Sequence, residues 1–168
     1  MRGEAEMNDA TTDRAARQVI QTQRAGEVLG KYAVACDDAD EAALAALFHR
    51  EATAVYDKDA DLSGNAEIAA WVIGATAHLV WQQHSLGVMK VDVEGDRATV
   101  VAYLTSHQVS AETPDTVMMM NSRYDAELEL VEGSWLIRKL HLLVGTVEHR
   151  PIQLGTLITP ANSEAQHA

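Results

Sequence analysis

Apolar residues in the first quarter of the chain recur at the spacing of a helix face. The run that ends at Cys36 follows the i, i+1, i+4, i+5, i+8 pattern of an amphipathic helix. Its apolar positions, with those just before it, are Ala16, Val19, Ile20, Val28, Leu29, Tyr32, Ala33 and Cys36. The pattern predicts a first helix that starts near Asp13, after a flexible N-terminus over residues 1–12 that has no periodicity.

Two more helices are predicted before the chain changes character. Asp38 with Glu41 three residues later is typical of a helix N-terminus, with Asp38 as the N-cap. Residues 52–56 have the composition of a short strand, and residues 57–65 that of a polar loop. Asn65 is expected to cap the third helix. The buried sides of these two helices are predicted at Leu44, Leu47 and Phe48, and at Ile68, Trp71, Val72, Ala75 and Leu79.

Four long segments then carry the signature of β-strands. They cover residues 82–93, 97–110, 116–131 and 134–146, with tight turns predicted at Gly95 and Gly133. The segment 116–131 alternates apolar and polar residues, which indicates a sheet with one buried face. Helices followed by a run of strands, with no repeat or linker, predict one α+β domain over residues 13–146 and a tail over residues 147–168.

Charge and composition exclude several classes of function. The 168 residues include 13 Lys and Arg against 25 Asp and Glu, a formal charge of −12. Such a surface repels phosphate backbones and anionic lipid, so we expect neither nucleic acid nor membrane as a partner. Cys36 is the single cysteine and is interpreted as core filler. A lone thiol, together with the lack of a recognisable signal peptide, favours the cytoplasm.

Three local patterns together resemble the SnoaL-like branch of the NTF2-like superfamily. The first is Y-x4-D-x2-D-x3-L-x3-F, from Tyr32 to Phe48; the second is V-x-x-x-G-D-x-A, from Val91 to Ala98. The third is Y-x-x-x-L-x-x-x-x-G-x-W-x-I, beginning at Tyr124. The resemblance covers about Val19 to Thr146. It implies a cone-shaped barrel, in which a bent antiparallel sheet and N-terminal helices enclose a pocket.

Within that superfamily the resemblance is strongest to the group of scytalone dehydratase, bile-acid 7α-dehydratase and hexachlorocyclohexane dehydrochlorinase. These lyases pair an aspartate at the end of the first helix with a histidine early on a strand. The resemblance implies that Asp37 and His84 are this pair and that Tyr32 and Tyr56 occupy active-site tyrosine positions. His107 stands where the bile-acid enzyme has an aspartate. Tyr56 also stands where ketosteroid isomerase has its base, which counts against that isomerase chemistry.

The same residues suit acid–base chemistry without reference to a family. A histidine exchanges protons near neutral pH, and a carboxylate that accepts one ring N–H fixes its tautomer. An elimination also needs an acid for the leaving hydroxyl, which Tyr32, Tyr56 or His107 could supply. The face on which His107 lies is left open by the sequence, because both faces of its strand are fairly apolar.

The remaining candidate residues have competing interpretations. Met118 and Tyr124 are predicted to contact substrate, although Met118 and its two neighbouring methionines equally suit core or subunit packing. His141 is interpreted as a core or interface histidine. The aspartates at 57, 59 and 61 alternate like calcium ligands but lack the glycine and distal glutamate of an EF-hand, so a solvated loop is favoured.

We therefore expect a cofactor-independent and metal-independent lyase, a dehydratase of a hydrophobic steroid-, terpenoid- or polyketide-like hydroxy compound. An isomerase or polyketide cyclase with the same dyad is the alternative among enzymes. A non-catalytic binding or assembly module is the alternative of another class. We also expect a homo-oligomer, trimer or dimer, in which the tail, which carries Ile152, Leu154, Leu157 and Ile158, packs over the pocket or a subunit interface.

Overall fold

Three helices and a six-stranded sheet make up the computed structural model. It describes residues 2–57, 60–153 and 155, with side chains from residue 12 onward except at 88. The helices are α1 (Arg2–Asp37), α2 (Glu41–Leu47) and α3 (Asn65–Thr76). The strands are β1 (Phe48–Tyr56), β2 (Ala60–Ser63), β3 (Leu79–Glu94), β4 (Arg97–Ser110), β5 (Thr116–Val131) and β6 (Ser134–Pro151). None of the described helices has the length and apolar character needed to cross a membrane.

Helix α1 begins at Arg2, not near Asp13. Residues 2–12 have no apolar stripe, but they contain helix-favouring Glu, Ala and Met and no proline that would end the helix. The predicted apolar stripe is correct only for its second half. Val28, Leu29, Tyr32 and Cys36 are buried, whereas Val19 and Ile20 are 66% and 48% exposed. A helix of 36 residues is about 54 Å long. Among its described side chains, which start at residue 12, the first fully buried one is Ala25.

The end of α1 is closed by a Schellman motif, in which the chain turns through a left-handed residue. Ala39, with φ 52°, occupies the position that glycine usually takes. Its N–H donates to Cys36 O at 3.0 Å, and the N–H of Asp40 donates to Ala35 O at 2.9 Å. Asp40, rather than the predicted Asp38, caps α2, because its carboxylate accepts the N–H of Ala43. Asp37 is thereby fixed as the last residue of α1.

The segment between β1 and α3 contains more regular structure than predicted. Strand β1 starts at Phe48, directly after α2, and β2 forms within the expected loop by pairing antiparallel with β1 from Thr53↔Ser63 to Tyr56↔Ala60. The residue before α3 is Gly64, at φ 93°, so Asn65 is the first helical residue and not the cap. The Asn65 amide instead donates to Ala45 O and ties α3 to α2.

The sheet has the strand order β2-β1-β6-β5-β4-β3. The four long strands form an antiparallel ladder, but β1 pairs parallel with β6, so the sheet is mixed and not wholly antiparallel. Its ends, β2 and β3, are not paired with each other, and the described sheet is open. The α+β cone-like architecture is therefore confirmed, with these two corrections.

Strand β6 runs past the predicted strand end at Thr146 as far as Pro151, along the first residues of β5. The N–H of Ile152 then donates to Asp115 O at 2.8 Å. Part of the predicted tail is therefore sheet. The sequence pattern hides this extension because Glu148 and Arg150, an ion pair, make the segment look polar. Leu154, Leu157 and Ile158 lie outside the described residues.

One face of the sheet packs against the helices and forms the core. In β4 this face carries Ala98, Val100, Ala102, Leu104 and Ser106, all buried. The residues of β5 and β6 that lie on the same face continue it, because cross-strand partners in a sheet project to the same side. We call this the inner face, and the opposite one the outer face.

Candidate active site

Asp37 and His84 form a two-point contact at the junction of α1 and β3. Nδ1 of His84 lies 2.6 Å from Oδ1 of Asp37, and the backbone N–H of His84 donates to Oδ2 at 3.0 Å. The expected pairing of Asp37 with His84 is therefore confirmed as a hydrogen bond. Because a carboxylate only accepts hydrogen bonds, Nδ1 of the neutral ring carries the proton. Nε2 is then the basic nitrogen, and it has no hydrogen-bond partner among the described residues. The side chains of His84 and Asp37 are 9% and 24% exposed.

The position of Asp37 breaks a local rule of helix design. A carboxylate at the last residue of a helix lies at the negative end of the helix dipole, where it is disfavoured. The two donors from His84 compensate for this placement. Local conflicts of this kind are expected at functional sites.

The inner face around His84 is a row of side chains contributed by four strands. His84 pairs with Ser106, Ser106 with Met120, and Met120 with Val147. Ser106 is buried, Met120 half-buried and Val147 48% exposed, so the row opens from β4 towards β6.

A second row lies one step further from the core. Gln82 pairs with Gln108, Gln108 with the predicted substrate residue Met118, and Met118 with His149. The first three are half-buried and His149 is exposed. The two rows together form an open, mixed apolar and polar surface beside the dyad.

A buried tyrosine cluster lies on the core side of this surface. Tyr32, 1% exposed, shares a hydrogen bond of 2.9 Å with the hydroxyl of Tyr56. Tyr124 packs edge-on against Tyr32 at 5.5 Å between ring centres, and Trp71 stacks on Tyr56 at 4.7 Å. The three tyrosines that the sequence assigns to the site thus meet, but as one hydrogen-bonded core cluster.

Burial changes the acidity of this cluster. Removal from water, the largest cause, raises the pKa of Tyr32, Tyr56 and Tyr124 above the ordinary value of 10.0. Burial likewise raises the pKa of the Cys36 thiol to about 12, partly offset by a hydrogen bond with Tyr32. These groups are therefore neutral hydrogen-bonding groups at physiological pH and weak proton donors.

The structure places His107 on the outer face. Since Ser106 pairs with His84 on the inner face, its neighbour His107 projects to the opposite side, beside Gln83 and Met119. Its Nδ1 is buried without a hydrogen-bond partner among the described residues. This placement removes His107 from the groups that can reach a substrate held at Asp37 and His84.

His141 also lies on the outer face, paired with Asp125 and exposed. The core position considered for it is therefore wrong. The pKa of Asp125 is lowered by hydrogen bonds from Arg123, with a smaller contribution from the charge of His141.

Among the surface depressions formed by the described residues, four lie outside the dyad. A groove of about 1160 Å³ runs between α1, α2 and β3, and one of about 540 Å³ crosses the outer face near Tyr103. The others, of about 710 and 450 Å³, lie over the charged part of the outer face and beside Gly95. None of the four includes Asp37 or His84. We place the candidate site at the dyad because the paired acid–base groups are there.

Several neighbours of the dyad were not predicted from the sequence. The inward position of Ser106 could have been predicted, because it continues the alternation of apolar residues at the even-numbered positions of β4. Val147 and His149 were missed because the strand was ended too early. Gln82 has no sequence signal beyond its place two residues before His84. Among the described residues, no three His, Cys, Asp or Glu side chains are grouped as metal ligands would be.

The chain is similar to a known protein family in sequence and to several solved structures in fold. The family model described as SnoaL-like domain matches residues 20–141. A proposed scytalone dehydratase from Novosphingobium aromaticivorans superposes with a TM-score of 0.71 at 14% identity, covering 86% of this chain and 95% of that one. A hexachlorocyclohexane dehydrochlorinase from Novosphingobium barchaimii gives 0.70 at 15% identity, covering 85% and 97%. No curated protein matches by sequence. Structural likeness at these identities shows a shared fold.

Proposed function

This chain belongs to the SnoaL-like family, and we propose that it is a cofactor-independent lyase that acts through Asp37 and His84. The observation that carries the proposal is the two-point contact, which leaves Nε2 of His84 as a base of fixed orientation. Solved structures of similar fold include a proposed scytalone dehydratase and a dehydrochlorinase, whose names both denote eliminations. The proposed reaction is dehydration of a hydrophobic steroid-, terpenoid- or polyketide-like hydroxy compound.

The proposed step needs no group beyond those of the chain and the substrate. Nε2 of His84 takes a proton from carbon, the C–H electron pair becomes the new C=C bond, and the C–O bond breaks. The imidazolium, stabilised by Asp37, then gives its proton to the departing hydroxide, so water leaves and the enzyme is restored.

Tyr32 and Tyr56 are proposed to bind a substrate oxygen rather than to donate a proton, which requires the substrate to reach the core cluster and replace the hydrogen bond between the two hydroxyls. Their raised pKa values make full proton transfer from them unfavourable, whereas a neutral hydroxyl still donates a hydrogen bond. Met118, Met120 and Val147 supply the apolar wall that a polycyclic compound needs.

A panel of hydrophobic hydroxy compounds with an acidic C–H beside the hydroxyl-bearing carbon tests this proposal. Mass spectrometry should detect loss of one water in the presence of the protein, unchanged after dialysis against a chelator. Products of unchanged mass would assign an isomerase or cyclase instead. Binding without any product would favour a binding module, and rescue of a chelated sample by metal would contradict metal independence.

We further propose that the part of the outer face around Tyr103 and Leu143 packs against other copies of the chain in a dimer or trimer. Tyr103 is 54% exposed there, and Leu143 is also exposed beside the depression of about 540 Å³. Tyr103→Lys should convert the oligomer to monomer in light scattering. Thr99→Lys, on the same face of the same strand, should not. A monomeric wild-type protein would refute this proposal.

A further inference from the structure

The side chain of Gln82 makes a contact that the proposed chemistry has not used. Its amide Nε2 donates to the backbone carbonyl of Cys36 at 2.5 Å, across from β3 to the end of α1. Cys36 directly precedes Asp37, and Gln82 lies two residues before His84 on the same face of β3. Three hydrogen bonds therefore join the consecutive residues Cys36 and Asp37 to Gln82 and His84.

The Cys36 carbonyl does not need Gln82 in order to be satisfied. It already accepts the N–H of Ala39 at 3.0 Å within the Schellman motif that ends α1. The bond from Gln82 is thus a second one to the same oxygen. Its effect is to connect two elements rather than to complete a helix end.

The other end of the Gln82 amide makes the residue unfavourable for stability. Its Oε1 is buried and has no hydrogen-bond partner among the described residues. An unpaired buried acceptor loses its hydration without compensation. A glutamine with an unpaired buried oxygen contributes little to stability, so its presence here is better explained by the position that it gives to neighbouring residues.

Gln82 is one of two glutamine side chains whose hydrogen bonds attach α1 to β3. Gln18 ties the helix to the far end of β3 through a bond from Nε2 to Val93 O at 3.0 Å. Gln82 ties it at the end where Asp37 lies. When the ring is protonated, the hydrogen bond between His84 and the Asp37 carboxylate becomes an ion pair. The hydrogen bond from the Gln82 amide involves no ionisable group and does not change.

We propose that Gln82 is a positioning residue, which holds the end of α1 against β3 so that Asp37 keeps His84 in the tautomer with a free Nε2. This role for Gln82 is inferred from the hydrogen bonds among Cys36, Asp37, Gln82 and His84. Only its effect on turnover rests on the proposed lyase function.

The test is the state of the His84 ring, read by long-range ¹H–¹⁵N correlation on the intact protein without substrate. His84→Gln assigns the signals among the seven histidines. The wild type should show a protonated Nδ1 and a bare Nε2. In Gln82→Met, of similar size but without the amide, the two nitrogen signals should move towards each other as both tautomers become populated. The control Gln83→Met, on the exposed outer face, should leave them unchanged.

Gln82→Glu provides a second variant of nearly the same shape that has lost the amide donor, and it should show the same change. An unaltered His84 ring in either folded variant would overturn the proposal. So would a fall in thermal midpoint with the ring unaltered, because Gln82 would then be a structural residue. If neither variant folds, the positional task is likewise refuted in favour of a structural one. Since no substrate is used, failure here is distinct from failure of the lyase assignment, which the product assay reports.

Discussion

Asp37 contacts His84 through both carboxylate oxygens, one on the ring and one on the backbone N–H of the same residue. The backbone contact fixes the carboxylate on the strand independently of the ring. The ring contact then sets the tautomer. Each carboxylate oxygen of Asp37 thus has its own donor on His84, and the contact needs an acceptor at both oxygen positions.

Asp37→Asn should lower turnover by about 10²–10⁴-fold while the protein folds normally. The amide keeps one acceptor oxygen but places a donor at the second position, so it cannot accept both hydrogen bonds from His84. The matched control is Asp38→Asn, one residue later, whose exposed side chain makes no hydrogen bond among the described residues. The rate constant kcat of both variants checks this. Equal losses in the two would show that the effect is one of local charge.

The stability of the fold should decrease in alkaline solution. The unfolded thiol of Cys36 loses its proton above its ordinary pKa of 9.0, whereas the folded state retains it up to about 12. Proton release from the unfolded thiol therefore favours unfolding increasingly as pH rises from 9.0 to about 12. Below pH 9.0 the thiol is protonated in both states, and the free energy of unfolding is not reduced by it. The raised pKa values of Tyr32, Tyr56 and Tyr124 act in the same direction.

Denaturant unfolding across this pH range measures the effect. Cys36→Ala should flatten the fall in the free energy of unfolding above pH 9.0. Tyr103→Phe, at an exposed tyrosine, should leave the fall as it is. An identical pH profile for Cys36→Ala and the wild type would remove the thiol from the explanation.

The N-cap of α2 offers a test of the helix start. Asp40→Ala should lower the free energy of unfolding by about 1 kcal/mol, because the N–H of Ala43 loses its acceptor. Asp38→Ala should have little effect. A larger loss at Asp38 would restore the cap position that the sequence pattern suggests.

Ala39 is a site where glycine should stabilise the protein. The left-handed backbone at φ 52° is strained for alanine, so Ala39→Gly should raise the free energy of unfolding by roughly 0.5–1 kcal/mol after glycine's entropic cost. Ala46→Gly, on the exposed side of α2, should lower it by a similar amount. Thermal melts of the two variants should therefore shift in opposite directions.

The sequence was sufficient for the fold class because periodicity and turn residues are local signals. The alternation along β5 and the turns at Gly95 and Gly133 predict the ladder that the structure shows. The ends of elements were less predictable. Strand β2 forms by pairing with β1, and α1 extends to Arg2 although the sequence of its first residues carries no apolar stripe.

The site was predictable only in part, because its residues are far apart in the sequence. Asp37 and His84 are 47 residues apart, and a family resemblance brought them together before the structure did. The side to which His107 points depends on the strand register, which neighbouring strands determine. Gln82 and Val147 join the site through cross-strand placement, for which the sequence carries no local signal.

Turnover of an active hydroxy compound by His84→Ala, compared with His141→Ala, shows whether His84 is the catalytic base. Both variants remove one imidazole, but only His84 is bonded to Asp37, whereas His141 is exposed on the outer face. We expect a loss of about 10²–10⁴-fold in kcat for His84→Ala and a rate near that of the wild type for His141→Ala. A folded His84→Ala protein that dehydrates the same compound at the full rate would contradict it.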